Sequence, residues 1–144
     1  MDLSTLKPTT RTIEIKHPAT GHNLGIRVTI CSMDDERLTK IKREITDRRL
    51  QLEQKGKSFK AEEVEANAHK LMFTAALGWE WYNPTGNEGD EGYDPDATPH
   101  VGGETLDFNQ KNFLRMVREY PWFKDQINEE LGETKAFFDG SKSS

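Results

Sequence analysis

Four histidines, one cysteine and a run of carboxylates are the side chains in this 144-residue chain that could do chemistry beyond folding. His17, His22, His69 and His100 show no His-Glu-x-x-His spacing, and Cys31 has no second thiolate beside which to bind zinc, so no structural zinc site is expected. His17 and His22 could approach one another across a turn, although a surface turn is the commoner reason for such a pair. Asp90, Glu91, Asp94, Asp96 and Glu104 supply the oxygen donors calcium prefers. They lack the fixed alternate positions around a glycine that an EF-hand loop needs. Acids in a solvated loop also lack the burial that would separate their pKa values into an acid and a base. Nothing electropositive near Cys31 in the sequence favours its thiolate, so it reads as a small residue on a strand. The glycines match neither a phosphate-binding loop nor a dinucleotide fingerprint. These residues predict a protein that is not an enzyme and needs no metal or cofactor.

The elements that would position any site follow from periodicity. Ile13 and Ile15 alternate with polar neighbours, as do Ile26, Val28 and Ile30, which predicts two strands with one apolar face each. His17-Pro18-Ala19-Thr20-Gly21-His22-Asn23 between them supplies turn chemistry, so the pair is a hairpin. Ser32, Asp34 and Asp35 offer caps for a helix over about 34–55 with Leu38, Ile41, Ile45 and Leu52 on one stripe. A second helix is predicted from Ser58, with Ala61, Val64, Ala68, Leu71 and Ala75 inward, running out at Gly78-Trp79-Glu80-Trp81-Tyr82. Residues 83–104 hold five glycines, three prolines, six acids and no Lys or Arg, which predicts a flexible acidic loop. Asp107 and Asn109 can cap a third helix bearing Phe113, Leu114 and Val117, and Pro121 opens a fourth with Phe123, Ile127 and Leu131 inward. At four-residue spacing back from Ile127, Phe123 lies on the buried stripe, which leaves Trp122 at its margin.

The expected fold is therefore α+β: an N-terminal β-hairpin followed by about four helices around a single core, with an irregular acidic Gly/Pro-rich insertion. The expected organisation is a flexible arm over 1–10, one domain over 11–138 that includes the loop 83–104, and a flexible tail over 139–144. Leu, Ile, Val and Phe make up only 29 of 144 residues, yet a net charge of −5 is too small for a disordered chain, so a folded domain with flexible segments is expected. No apolar run approaches the roughly 20 residues of a membrane span, and MDLSTLKPTT lacks the regions of a signal peptide, which points to the cytoplasm.

Two surfaces stand out as partner-binding candidates. The first is basic: between residues 36 and 57 eight Lys and Arg oppose four acids, and Arg43, Arg48 and Arg49 would lead any nucleic-acid contact. Mixed charge at helical spacing in a chain of pI near 5.4 is more often a solvated face with ion pairs, so nucleic acid is the second choice, as the partner of a regulatory protein. The second is aromatic: Trp79, Trp81 and Tyr82 cluster at one element end, and Tyr120 and Trp122 at another. Rings of this kind pack as a core corner between helices two and four, or anchor a partner, and both readings can hold for different rings.

The hairpin with its His17-Pro18-Ala19-Thr20-Gly21 turn, followed by Met33-Asp34-Asp35-Glu36-Arg37 opening a basic helix, resembles the N-terminal half of tail assembly chaperones of long-tailed bacteriophages. Phe108-Asn109-Gln110-Lys111-Asn112-Phe113-Leu114, Tyr120-Pro121-Trp122-Phe123-Lys124-Asp125-Gln126-Ile127 and Lys135-Ala136-Phe137-Phe138 resemble that family's C-terminal pattern. The likeness spans about residues 11–138 and rests on the order of hydrophobic patterns; the acidic stretch 86–104 departs from it. It implies a protein of the host cytoplasm, absent from the mature virion, that keeps the phage tape measure protein soluble while major tail tube protein is recruited. It implies no cofactor, and self-association is a further expectation.

Overall fold

A computed structural model describes residues 10–132 of the chain. The expected arm over 1–10, apart from Thr10, lies outside the described residues, as do Phe137-Phe138 and the expected tail. The elements run β1 (Arg11–Lys16), β2 (Asn23–Ile30), α1 (Glu36–Gln54), α2 (Ala61–Ala75), β3 (Ala76–Trp81), α3 (Gln110–Glu119) and α4 (Pro121–Leu131). The fold is α+β, with the N-terminal hairpin and four helices expected.

The hairpin closes where the turn chemistry placed it. His17 N donates to His22 O at 2.8 Å, Gly21 takes φ +74°, and His17 Nδ1 accepts from Ala19 N at 3.1 Å. The histidine thus organises its own turn. Ile13, Ile15, Ile26, Val28 and Ile30 all face the core.

The sheet has a third strand where periodicity predicts the end of helix two. β3 pairs antiparallel with β2, Trp81 opposite Ile26 and Trp79 opposite Val28, giving the order β1-β2-β3. Trp79 and Trp81 therefore do not end a helix. Aromatic side chains favour a pleated, half-buried surface, and Gly78 weakens a helix, so helical continuation beyond Ala75 loses to pairing with β2.

The inward stripe of α2 holds at Ala75 and, half-buried, at Leu71, and is corrected toward the start of the helix. Its buried residues are His69, Met72 and Ala75, whereas Ala61 and Ala68 are exposed and Val64 is 55% exposed. Entry into β3 fixes the rotation of the helix from its C-terminal end, and only that half reaches the core. The helix begins at Ala61 with Lys60 as its N-cap, three residues later than Ser58. In α1, Leu38, Ile41 and Leu52 are buried as expected and Ile45 is half-buried; Asp35 caps it, accepting from Arg37 N at 2.9 Å.

α3 and α4 close the core. Asn109 caps α3, accepting from Asn112 N at 2.8 Å, and Phe113, Met116 and Val117 are buried. Pro121 stands in the first turn of α4, with Phe123, Ile127 and Leu131 buried and Trp122 half-buried at the margin. Phe123 meets Phe113 at 5.8 Å between ring centroids.

Candidate functional site

β3 divides the aromatic candidates between the two faces of the sheet. Trp79 and Trp81 point to the helices, while Glu80 and Tyr82 point the other way, because successive strand residues alternate.

Trp79 is a core residue. Its ring lies 5.4 Å from Phe108, 6.1 Å from Phe113 and 6.2 Å from Phe123, and its indole N–H donates to Leu106 O at 2.8 Å. The ring is half-buried and packs against the core.

Trp81, Tyr120 and Trp122 converge instead on one apolar pocket of about 340 Å³. Leu24 and Ile26 of β2 contribute to its lining beside Trp81, and Met116 joins Tyr120 and Trp122 from the α3–α4 corner. Loop residues 96–101 line the rest. Tyr120 and Trp122 lie 5.3 Å apart with ring planes at 49°. The Trp81 indole nitrogen is buried and, among the described residues, has no hydrogen-bond partner. Such an orphaned donor costs about 1–3 kcal/mol, and satisfying it would recover part of that.

The loop that completes this pocket is tied down along its length. Asn83 Nδ2 donates to Asp94 O at 2.6 Å, and Thr85 Oγ1 accepts from Asp94 N at 2.9 Å. Asp90 and Asp94 each accept from a nearby backbone N–H, that of Asn87 and of Asp96. These carboxylates are spent on local turns. Among the described residues no group of three or more His, Cys, Asp or Glu side chains could hold a metal ion. Pro84 and Pro99, from the two ends of the loop, both approach Gly25 of β2.

On the outer face of the sheet, Tyr82 joins a charged network. Arg27 bonds Glu14 at 2.6 Å and Glu80 at 2.7 Å, its guanidinium lies 4.0 Å from the centre of the Tyr82 ring, and the Tyr82 hydroxyl donates to Glu14. Burial alone would raise the Glu14 carboxyl, but the bonds from Tyr82 and Arg27 and the charge of Arg27 outweigh it and hold the group below its ordinary value. Burial and the bond to Glu14 push the Tyr82 hydroxyl up. Tyr82 is therefore separated from the other aromatic candidates by the sheet itself.

The basic candidates do not share a face. Arg43, Arg48 and Arg49 are all exposed on α1. At about 100° per residue, Arg48 and Arg49 stand about 140° and 240° around the helix from Arg43. Neighbouring charges are drawn into ion pairs, Arg49 with Glu53 at 3.9 Å and Glu44 with Lys70 at 3.8 Å. None of the three arginines lines the aromatic pocket.

Cys31 sits buried just past β2, its N–H donating to Ala75 O at 2.9 Å. Burial, reinforced by the charge of Asp35, pushes its thiol up, away from the reactive thiolate.

The pocket residues that sequence reading missed are Leu24, Met116 and the loop segment 96–101. A signal for the loop was present: residues 97–103 carry no Asp, Glu, Lys or Arg, so the acidic character of the insertion stops before the stretch that meets the sheet. Comparison with protein-family models, with curated proteins and with solved structures finds no match for this chain. Among the described residues no helix is long and apolar enough to cross a membrane.

Proposed function

We propose that this chain is a non-enzymatic interaction protein, a tail assembly chaperone that acts in the host cytoplasm, holds the phage tape measure protein in solution and helps recruit tail tube subunits. The observation that supports this most is the convergence of Trp81, Tyr120 and Trp122 on one apolar pocket. A tape measure protein is a long helical chain with exposed apolar stripes, and a helix can bury a large side chain in an aromatic-lined pocket of this size. A main-chain or side-chain acceptor on that partner would satisfy the Trp81 indole N–H. Tyr and Trp carry much of the energy in such contacts, since they bury large areas at small cost in side-chain freedom. The spread of Arg43, Arg48 and Arg49 around α1 weighs against a duplex-binding stripe.

The experiment is co-expression with the cognate tape measure protein, scored by its solubility and by co-purification. Trp122→Ala is expected to weaken the complex by about 2 kcal/mol, as a hot-spot residue does, while the variant alone melts near the parent temperature. Phe123→Ala, which empties a fully buried aromatic site, is expected to lose about 3–5 kcal/mol of stability instead. If Trp122→Ala unfolds the chain as readily as Phe123→Ala, or leaves the complex intact, the pocket is not the anchor. Salt-sensitive duplex DNA binding abolished by replacing Arg43, Arg48 and Arg49 with Ala would replace this reading with the nucleic-acid one.

A further inference from the structure

A second apolar cavity, of about 280 Å³, lies at the C-terminal end of α4, with Met33, Ala68, Leu71, Met72, Leu131 and Gly132 in its wall and no charged residue among them. It opens onto an apolar stripe of α2 that the core does not cover. Val64, Ala68 and Leu71 follow one another at spacings of four and three, so they share one face of the helix, and Val64 is 55% exposed. Among the described residues Val64 and Leu50 are the only exposed large hydrophobics. Gly132, itself part of the cavity wall, is the last described residue. Residues 133–144 follow it, and in that stretch Phe137 and Phe138 are the only large apolar side chains. Phe137 stands five residues beyond Gly132, a length of chain that spans up to about 17 Å.

We infer that this cavity is the seat of the chain's own Phe137-Phe138 pair, which also covers Ala68 and the turn of α2 that carries Val64. The tether favours this occupant over any other, because a link of four residues from the cavity wall holds the pair at an effective concentration of about millimolar or higher. The chemistry of the wall matches an aromatic ring. Met33 and Met72 supply two thioethers, which make favourable contacts with ring edges, and with no charge in the wall an entering ring desolvates none. The seat also accounts for the apolar face of α2, whose spacing is that of a covered stripe while the core reaches only His69, Met72 and Ala75. This cavity shares no lining residue with the one bounded by Trp81, so the inference stands apart from that pocket and from what it binds.

The methionines supply the test. In the full chain with its methionine methyl groups labelled with carbon-13, nuclear Overhauser cross-peaks should join the methyls of Met33 and Met72 to the rings of Phe137 and Phe138. In the double variant Phe137→Ala with Phe138→Ala those cross-peaks should vanish and both methyl resonances should shift, as the ring currents beside them are removed. Met116 is the internal control. It is buried in the core and lines the other pocket, so its methyl resonance should stay in place and shows that the variant is folded. The start of β1 also lies near this end of α4, since Arg11 pairs with Glu130 at 2.6 Å, and Leu3 and Leu6 precede it in the sequence. Cross-peaks from Met33 and Met72 to Leu3 or Leu6 in place of the phenylalanines would overturn the inference. So would methyl resonances indifferent to the double substitution, or cross-peaks that appear only between differently labelled chains in a mixed sample, which would put a second copy in the cavity.

Discussion

Gln126 reaches across 110 positions in sequence to occupy both main-chain groups of Lys16, its carbonyl oxygen taking the N–H at 2.7 Å and its amide giving to the C=O at 2.9 Å. One side-chain amide thereby stands in for the next strand, and it ties α4 to the sheet. Gln126→Ala removes both bonds at once. An expected loss of about 1–3 kcal/mol, read from urea unfolding, follows from two hydrogen bonds at the net value of each. Gln126→Glu keeps the acceptor and removes the donor, so it should retain part of the stability.

The network on the outer face predicts a pH dependence. Glu14 has a folded-state pKa below its ordinary 4.5, so the proton binds the unfolded chain more readily. Its contribution to stability is therefore complete above the unfolded value and is lost as pH falls through the lower, folded value. Glu14→Gln should flatten the decline of urea stability below about pH 4.5 and lower stability at neutral pH. Asp35, lowered by its bonds from the Arg37 side chain and N–H, acts in the same direction from 3.8, so the decline is reduced and not abolished. An acid limb identical to that of the parent would mean that Tyr82 and Arg27 do not hold the carboxylate in solution.

Much of this fold can be read from local pattern, and the exceptions have physical causes. The β1–β2 hairpin, the Asn109 cap, Pro121 in the first turn of α4 and the burial of Phe123 beside a marginal Trp122 depend on neighbours within a few residues, which the sequence displays. β3 depends on a partner strand some fifty residues earlier, as Arg27 opposite Glu80 shows. Leu77, Trp79 and Trp81 alternate with Gly78, Glu80 and Tyr82, but this pattern abuts a helical one without a break, so periodicity alone extends the helix through it. The rotation of α2 follows from that same junction. In the aromatic candidates, the sequence displayed which rings were clustered along the chain; only the pairing with β2 sorts Trp79 into the core, Trp81 to the pocket and Tyr82 to the opposite face. No spacing rule could bring Leu24, Trp81, Met116 and Trp122 together, since four separate elements meet there.

Gly25 sits where two of those long-range relations cross, and it gives the sharpest test of how the insertion is seated. It adopts φ +102°, and a Cβ built on it would stand 2.3 Å from Tyr82 O, 2.8 Å from Pro99 Cδ and 3.0 Å from Pro84 Cδ. The first of these is backbone and cannot turn aside. Gly25→Ala thus combines a backbone conformation that costs about 1–3 kcal/mol for a side-chain-bearing residue with displacement of β3 and of both ends of the loop. Gly21 is the control. It also has positive φ, at +74°, but nothing lies within 4 Å of a Cβ there, so Gly21→Ala should lose only about 1–2 kcal/mol by chemical denaturation. The expected order is a loss at Gly25 of about 3 kcal/mol or more, accompanied by changed fluorescence of Trp81 and Trp122 as residues 96–101 lift from the pocket. Equal losses at the two glycines, with unchanged tryptophan emission, would show that the loop does not press on β2 as described.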